Sequence, residues 1–137
     1  MKVFQVTLLP TILTALFMAA TAYAVVIETV PVGNLGNLPD ADNGYGAVNY
    51  AYSIGKTEIT ISQYSEFLNA VDPMGVDALD LWNENSGLKN KIPLTPTSAD
   101  GSKYGVKPGK ENFPVTFVDW YDTIRFANWL HNGQGSG

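Results

Sequence analysis

The stretch that decides the fold is Asn112-Phe-Pro-Val-Thr-Phe-Val-Asp-Trp-Tyr-Asp-Thr-Ile-Arg-Phe-Ala-Asn-Trp-Leu130. It reads as a short strand, Phe113 to Val118, running into a helix. Pro114 has no N–H to give, which favours a sheet edge for that strand. Asp119 suits an N-cap, because its carboxylate can accept from the orphan N–H groups of the first turn. Asp122 stands at the third helical position. The helix is predicted to run to about His131, with Gly133 placed for the C-terminal cap. At 100° per residue, Trp120, Ile124, Ala127 and His131 share one stripe, flanked by Leu130. Asp122, Arg125 and Trp129 lie on the other side. This reading turns the first set inward and leaves Trp129 outward, in need of a cover.

Working back along the chain, Tyr52-Ser-Ile-Gly-Lys-Thr-Glu-Ile-Thr-Ile-Ser-Gln-Tyr-Ser-Glu-Phe-Leu68 carries a second helix start. Thr60 and Gln63 have capping-box spacing. Ile61, Tyr64, Phe67, Leu68 and Val71 then fall on one face. Pro73 ends the helix, since proline disfavours a helical residue before it. Val25 to Val32 is β-branched and predicts a strand ending at Pro31. Val48 to Tyr52 alternates and predicts another, continuing through Ile54 to Glu58. Gly33 to Gly46 is a Gly- and Asn-rich loop. Asp72 to Pro114 is turn-rich, with one helical turn expected around Ala78 to Trp82.

Taken together, the two segments resemble the N-terminal half of the formylglycine-generating-enzyme, or sulfatase-modifying-factor, family. The residues that carry the likeness are Ile54, Glu58-Ile59-Thr60, Gln63-Tyr64 and Phe67, then Pro114-Val115, Val118, Trp120, Asp122, Phe126 and Trp129. Thr123 stands where the family usually has Ala. The Gly44-to-Tyr50 lead-in and the close at Trp129-Leu-His-Asn-Gly-Gln134 are similar to a secreted bacterial subgroup. The resemblance covers Val32 to Gln134. It implies an α+β, partial C-type-lectin-like fold with two helices, a small antiparallel sheet and much irregular loop. It also implies copper-dependent oxidation of a sulfatase cysteine, with calcium bound, in a full-length domain. The family's Arg-Leu-Pro-Thr-Glu signature, cysteine pair and most metal ligands lie beyond the matched motifs. No catalytic, cofactor-binding or metal-binding residue is therefore carried over to this chain.

Composition sets outer bounds. The 137 residues are 45% hydrophobic and 15% charged, an ordinary globular balance that suits a single domain. Net charge is −5 and no basic cluster occurs, which argues against nucleic acid and anionic membrane surfaces as partners. There is no cysteine, so disulfides, thiolate metal sites and cysteine nucleophiles are excluded within this chain. Copper(I) favours such soft ligands. Lys2, the apolar Val6 to Ala20 and Ala22-Tyr23-Ala24 read as a secretory signal peptide cut after Ala24. Residues 1–24 are then leader and 25–137 the domain portion, secreted or periplasmic. Pro10 and the short apolar run disfavour a membrane span.

Other candidates have plainer readings. Asp40-Ala-Asp42-Asn-Gly44 has a calcium-loop look, but no bidentate acid follows about seven residues on, and an Asx–Gly turn explains it better. His131 is the only histidine, and it suits a helix C-terminus without any ligand role. Asp77, Asp80 and Glu84 read as a solvated acidic face. Tyr45, Tyr50, Tyr104, Trp82 and Trp129 could stack on sugars if exposed, though such rings more often pack. Two functional classes follow. One is the N-terminal part of a truncated formylglycine-generating-type enzyme, inactive as it stands, with a sulfatase or another exported protein as partner. The other is a noncatalytic, lectin-like binding or structural module for glycans or proteins. A fragment without function is the third expectation.

Overall fold

The computed structural model describes residues 24–135. The predicted leader, apart from Ala24, lies outside the described residues. Helix α1 spans Ile61–Val71 and helix α2 spans Trp120–His131. Strands β1, Thr29–Val32, and β2, Tyr52–Gly55, form a two-stranded antiparallel sheet with Val30 opposite Ile54. A 3₁₀ turn covers Gly87–Asn90. The α+β class with two helices and a small antiparallel sheet is as expected.

Both helix starts follow from local chemistry. The Thr60 side chain accepts from the Gln63 N–H, and the Gln63 side chain accepts from the Thr60 N–H at 2.9 Å. Asp119 and Asp122 repeat the same reciprocal bond, each at 2.9 Å. Each box satisfies two donors that a bare helix start leaves orphaned. At the far end of α2, Gly133 adopts φ +84°, a backbone conformation that a side chain would strain. The Gln134 N–H then reaches the Trp129 carbonyl at 2.9 Å, closing a Schellman cap. Thr60→Ala is expected to cost about 1 kcal/mol through the lost cap. A chemical denaturation midpoint that does not move would contradict the box.

The strands are shorter than the sequence suggests. Pairing begins only at Thr29, and β2 covers only the middle of the predicted Val48-to-Glu58 run. Phe113 to Val118 is not a strand. Thr60 and Pro114 form an isolated antiparallel bridge, in which the Ile61 N–H donates to Phe113 and the Val115 N–H donates to Ile59. Pro114 supplies no donor, and Phe117 turns away at φ +65°, so no ladder continues. The turn expected at Ala78 to Trp82 also fails as a helix, because Asp77 and Asp80 sit at φ +51° and +52°.

The core is built where α1 crosses α2. Ile61, Tyr64, Phe67 and Leu68 are buried from α1, as predicted. From α2 the buried set is Asp122, Phe126 and Trp129. The predicted facing of α2 is therefore corrected: Trp120 is 72% exposed and Ile124 38% exposed, while Trp129 is only 8% exposed. The physical reason is aromatic packing. Phe67 meets Phe126 edge-on at 5.3 Å and Trp129 at 5.4 Å, an attractive geometry for rings. Asp122 can turn inward because the capping box satisfies its carboxylate. Trp129 has its cover, and its indole N–H donates to the Gly135 carbonyl at 2.9 Å.

The long segment between the helices supplies core as well. Leu81, Trp82, Leu88, Ile92 and Tyr104 are buried from it. Its irregular backbone is tied down by side chains. The Trp82 indole donates to the Ile92 carbonyl at 2.7 Å, and the Tyr64 hydroxyl to the Leu81 carbonyl at 3.0 Å. Asn69 clamps Tyr104 from both sides, accepting from its N–H at 2.9 Å and donating to its carbonyl at 2.8 Å. Lys103, buried by its stem, gives its ammonium to the Pro96 and Ser98 carbonyls and lies 3.2 Å from Asp100.

Candidate functional site

A hollow lies where the C-terminal turns of both helices meet the 79–81 segment. It has a volume of about 570 Å³, within the range usual for small-ligand sites. Phe67, Leu81 and Trp129 form its apolar floor, and Arg125, Asn128 and Asn132 stand along it from α2. The spacing follows from helix geometry, since Arg125, Asn128, Trp129 and Asn132 step along one side by three or four residues. Arg125 is the one charged side chain in the lining. Its guanidinium donates to the Leu79 carbonyl at 3.2 Å and lies 3.9 Å from the Asp122 carboxylate. The hollow thus offers an apolar base, amides and one cation. An apolar base with a few polar groups is the usual lining of a ligand-binding hollow.

Asp122 behind this wall is unusual for a carboxylate. Burial pushes its pKa up, helped by the nearby Asp119 charge and opposed by the Asp119 N–H and Arg125. A raised folded pKa means that ionisation costs folded-state stability. That cost is absent below the unfolded value of 3.8 and grows as pH rises toward the folded value. Asp122→Asn keeps an acceptor for the Asp119 N–H and removes the charge. The variant is expected to gain on the parent as pH rises from 3 to 7 in paired urea titrations. A gap that narrows instead would show that the ionised carboxylate is favoured where it sits.

A second, smaller hollow of about 190 Å³ lies against the Gly- and Asn-rich loop. Tyr50 and Tyr52 border it with ring centroids 5.9 Å apart, beside Asn34 and Asn37. Asn37 is already engaged, donating to Gly46 at 2.8 Å and accepting from the Val48 N–H at 3.2 Å. The two rings remain open, with Tyr50 69% exposed.

The structure sorts the other sequence candidates. Asp40 is a turn organiser: its side chain accepts from the N–H groups of Asp42 at 2.9 Å and Asn43 at 3.1 Å. Asp77 is not simply solvated, because its carboxylate accepts from Leu81 and Trp82 at 2.9 and 3.1 Å and shapes the hollow's edge. Tyr104, Trp82 and Trp129 are core residues and not sugar platforms, whereas Tyr45 and Tyr50 are exposed. His131 is exposed in the last turn of α2. Arg125, Asn128 and Trp129 form one side of the hollow, a role that the outward placing of Arg125 and Trp129 does not predict. The signal for it was Phe126 and Trp129, three apart on one helical face.

Among the described residues, no group of three or more His, Asp or Glu side chains is placed to hold a metal ion. With no cysteine in the chain, the donor set does not fit copper. No helix of the described residues is long and apolar enough to cross a membrane. A family model described as the sulfatase-modifying factor enzyme 1-like domain matches residues 29–132. No curated protein and no solved structure matches.

Proposed function

This chain belongs to the sulfatase-modifying factor enzyme 1-like domain family, and on that premise we propose that it is an exported scaffold portion of such a domain. In this reading it binds a partner surface and does not itself oxidise cysteine. The carrying observation is the outward side of α2 and its approach. Phe117 is 62%, Trp120 72% and Tyr121 68% exposed, and Ile124 adds to the same side. Helix α2 is thus apolar on two opposite faces, and only one of them is covered. A doubly apolar helix suits burial between two layers, and large exposed apolar patches mark binding surfaces. Export is supported by Lys2, the apolar run to Ala20 and the Ala22-Tyr23-Ala24 pattern.

Replacing Trp120 and Ile124 with Gln is expected to reduce binding of a hydrophobic dye to the native chain several-fold. Denaturation stability should change by less than about 0.5 kcal/mol, as for surface sites generally. Loss of stability comparable to a core deletion would place that face in the fold. For activity, the purified chain would be incubated with a cysteine peptide, copper and oxygen. No aldehyde should form, and formylglycine in the peptide would overturn the reading. A noncatalytic glycan-binding module is favoured by one observation, the open Tyr50–Tyr52 pair. Retention on a glycan array that Tyr50→Ala abolishes would support that second reading.

A further inference from the structure

We propose that Gln134 is a receptor for the processed N-terminus and that the leader is cut before residue 25 docks. This inference rests on the export reading and adds an order of events to it. Val25, the first residue after Ala22-Tyr23-Ala24, is 6% exposed and sits in the core cluster. Its N–H donates to the Gln134 side-chain oxygen at 2.5 Å. The Gln134 amide nitrogen donates back to the Val25 carbonyl at 2.8 Å. One primary amide therefore holds both backbone polar groups of Val25 across 109 residues of sequence. Such pairing satisfies buried backbone groups that would otherwise cost stability.

Gln134 is set for this role by its own backbone. It lies at φ +61°, uncommon for a residue with a side chain, directly after Gly133 at +84°. The Schellman bond from its N–H to the Trp129 carbonyl fixes that position. The end of α2 thus presents the amide, and the buried Val25 side chain fills the neighbouring core. Ala24 is exposed.

A peptidase must take the Ala24–Val25 bond in an extended, accessible strand. In the docked state the bond's nitrogen is engaged and the following side chain is buried. Hydrolysis adds water across that bond, leaving the Ala24 carboxylate on the leader and an ammonium on Val25. The Gln134 oxygen then accepts a charge-assisted bond in place of a neutral one, and such bonds are roughly twice as strong. Docking before cleavage engages the bond's nitrogen and buries the side chain beside it, and docking after cleavage adds a charge-assisted bond against the cost of partly desolvating the ammonium.

The test uses the full precursor, folded first and then exposed to purified signal peptidase in detergent. Cleavage of the folded precursor is expected to be at least tenfold slower than that of a urea-unfolded sample diluted directly into the enzyme. Gln134→Ala should restore fast cleavage, with near-UV circular dichroism checking that the variant is folded. If that variant does not fold, Gln134→Met, which keeps the side-chain volume and removes both amide partners, provides the same comparison. Equal rates for folded and unfolded parent would overturn the inference, as would a folded Gln134→Ala precursor that stays protected. Mass spectrometry of the product separates the two levels of the argument. A product beginning elsewhere than Val25, or no cleavage in either state, defeats the export reading itself.

Discussion

Phe67→Ala is expected to remove a large share of the folding free energy. Phe67 is 1% exposed and stands at the centre of the aromatic cluster. Its ring lies 5.4 Å from Tyr64, 5.3 Å from Phe126 and 5.4 Å from Trp129. Truncating a buried phenylalanine costs about 3–5 kcal/mol, from lost transfer energy and the cavity left behind. Small domains have only about 5–15 kcal/mol in total. The ring also floors the larger hollow, so truncation would enlarge that space as well as loosen the helix contact. Urea denaturation followed by near-UV circular dichroism would measure the loss. Phe67→Leu, which keeps more of the volume, should cost roughly 1.5 kcal/mol. A loss under about 1 kcal/mol for the alanine variant would mean that the α1–α2 contact does not hold the fold.

Asp72→Ala should come close to the same effect by a different route. The Asp72 carboxylate accepts from the N–H groups of Val76 at 3.1 Å and Asp77 at 2.7 Å, and from the Tyr104 hydroxyl at 2.5 Å. Each bond to a charged group is worth about 1.5–3 kcal/mol, and removing the acceptor strands a buried hydroxyl. A loss of about 3 kcal/mol or more at pH 7 is expected on that basis. The same contacts set a pH signature. Burial pushes the Asp72 carboxyl up, but the Tyr104 hydroxyl and the N–H groups of Asp77, Val76 and Gly75 outweigh it and leave its pKa below the ordinary value. A depressed folded pKa gives stability that is complete above the unfolded value of 3.8 and lost as pH falls through the folded value. Tyr104→Phe removes one of these bonds and nothing of the ring. Its deficit against the parent should be about 1.5–2 kcal/mol at pH 7 and should shrink as pH falls through the folded pKa of Asp72. A deficit constant with pH would show that the hydroxyl does not act through the ionised carboxylate.

What the sequence revealed was mostly local. Thr60 with Gln63, Asp119 with Asp122, and Pro73 after Val71 are signals read within four residues, and each helix boundary follows from them. The inward face of α1 was equally plain, because its apolar residues form one stripe and the rest are polar. Helix α2 was ambiguous, since it carries two apolar stripes and periodicity cannot say which one meets a neighbour. The choice is made by Phe67 and Tyr64, more than fifty residues earlier, and by the capping box that lets Asp122 face inward. The extended stretches are shorter than their composition predicts, for the same reason. Val48 and Phe113 have strand character, but Val48 bonds to the Gly36 N–H and the Asn37 side chain, and Pro114 and Phe117 deny the Phe113 segment a ladder. The larger hollow and the Val25–Gln134 clasp join residues far apart in the chain, and no spacing rule announces them.

The bridge between Thr60 and Pro114 has one more consequence. It fastens the entry of α1 beside the approach to α2, with the Ile61 and Val115 N–H groups each crossing over. The intervening excursion therefore leaves and returns at nearly the same point. Its length is decoupled from the spacing of the two helices. Closing a loop costs only about 0.6 kcal/mol more for each doubling of its length. Insertions at exposed turns such as Gly109 can accumulate there without moving either helix, provided that Trp82, Ile92 and Tyr104 still reach the core. The segment is the place where this architecture can acquire new surface with least disturbance to what already folds.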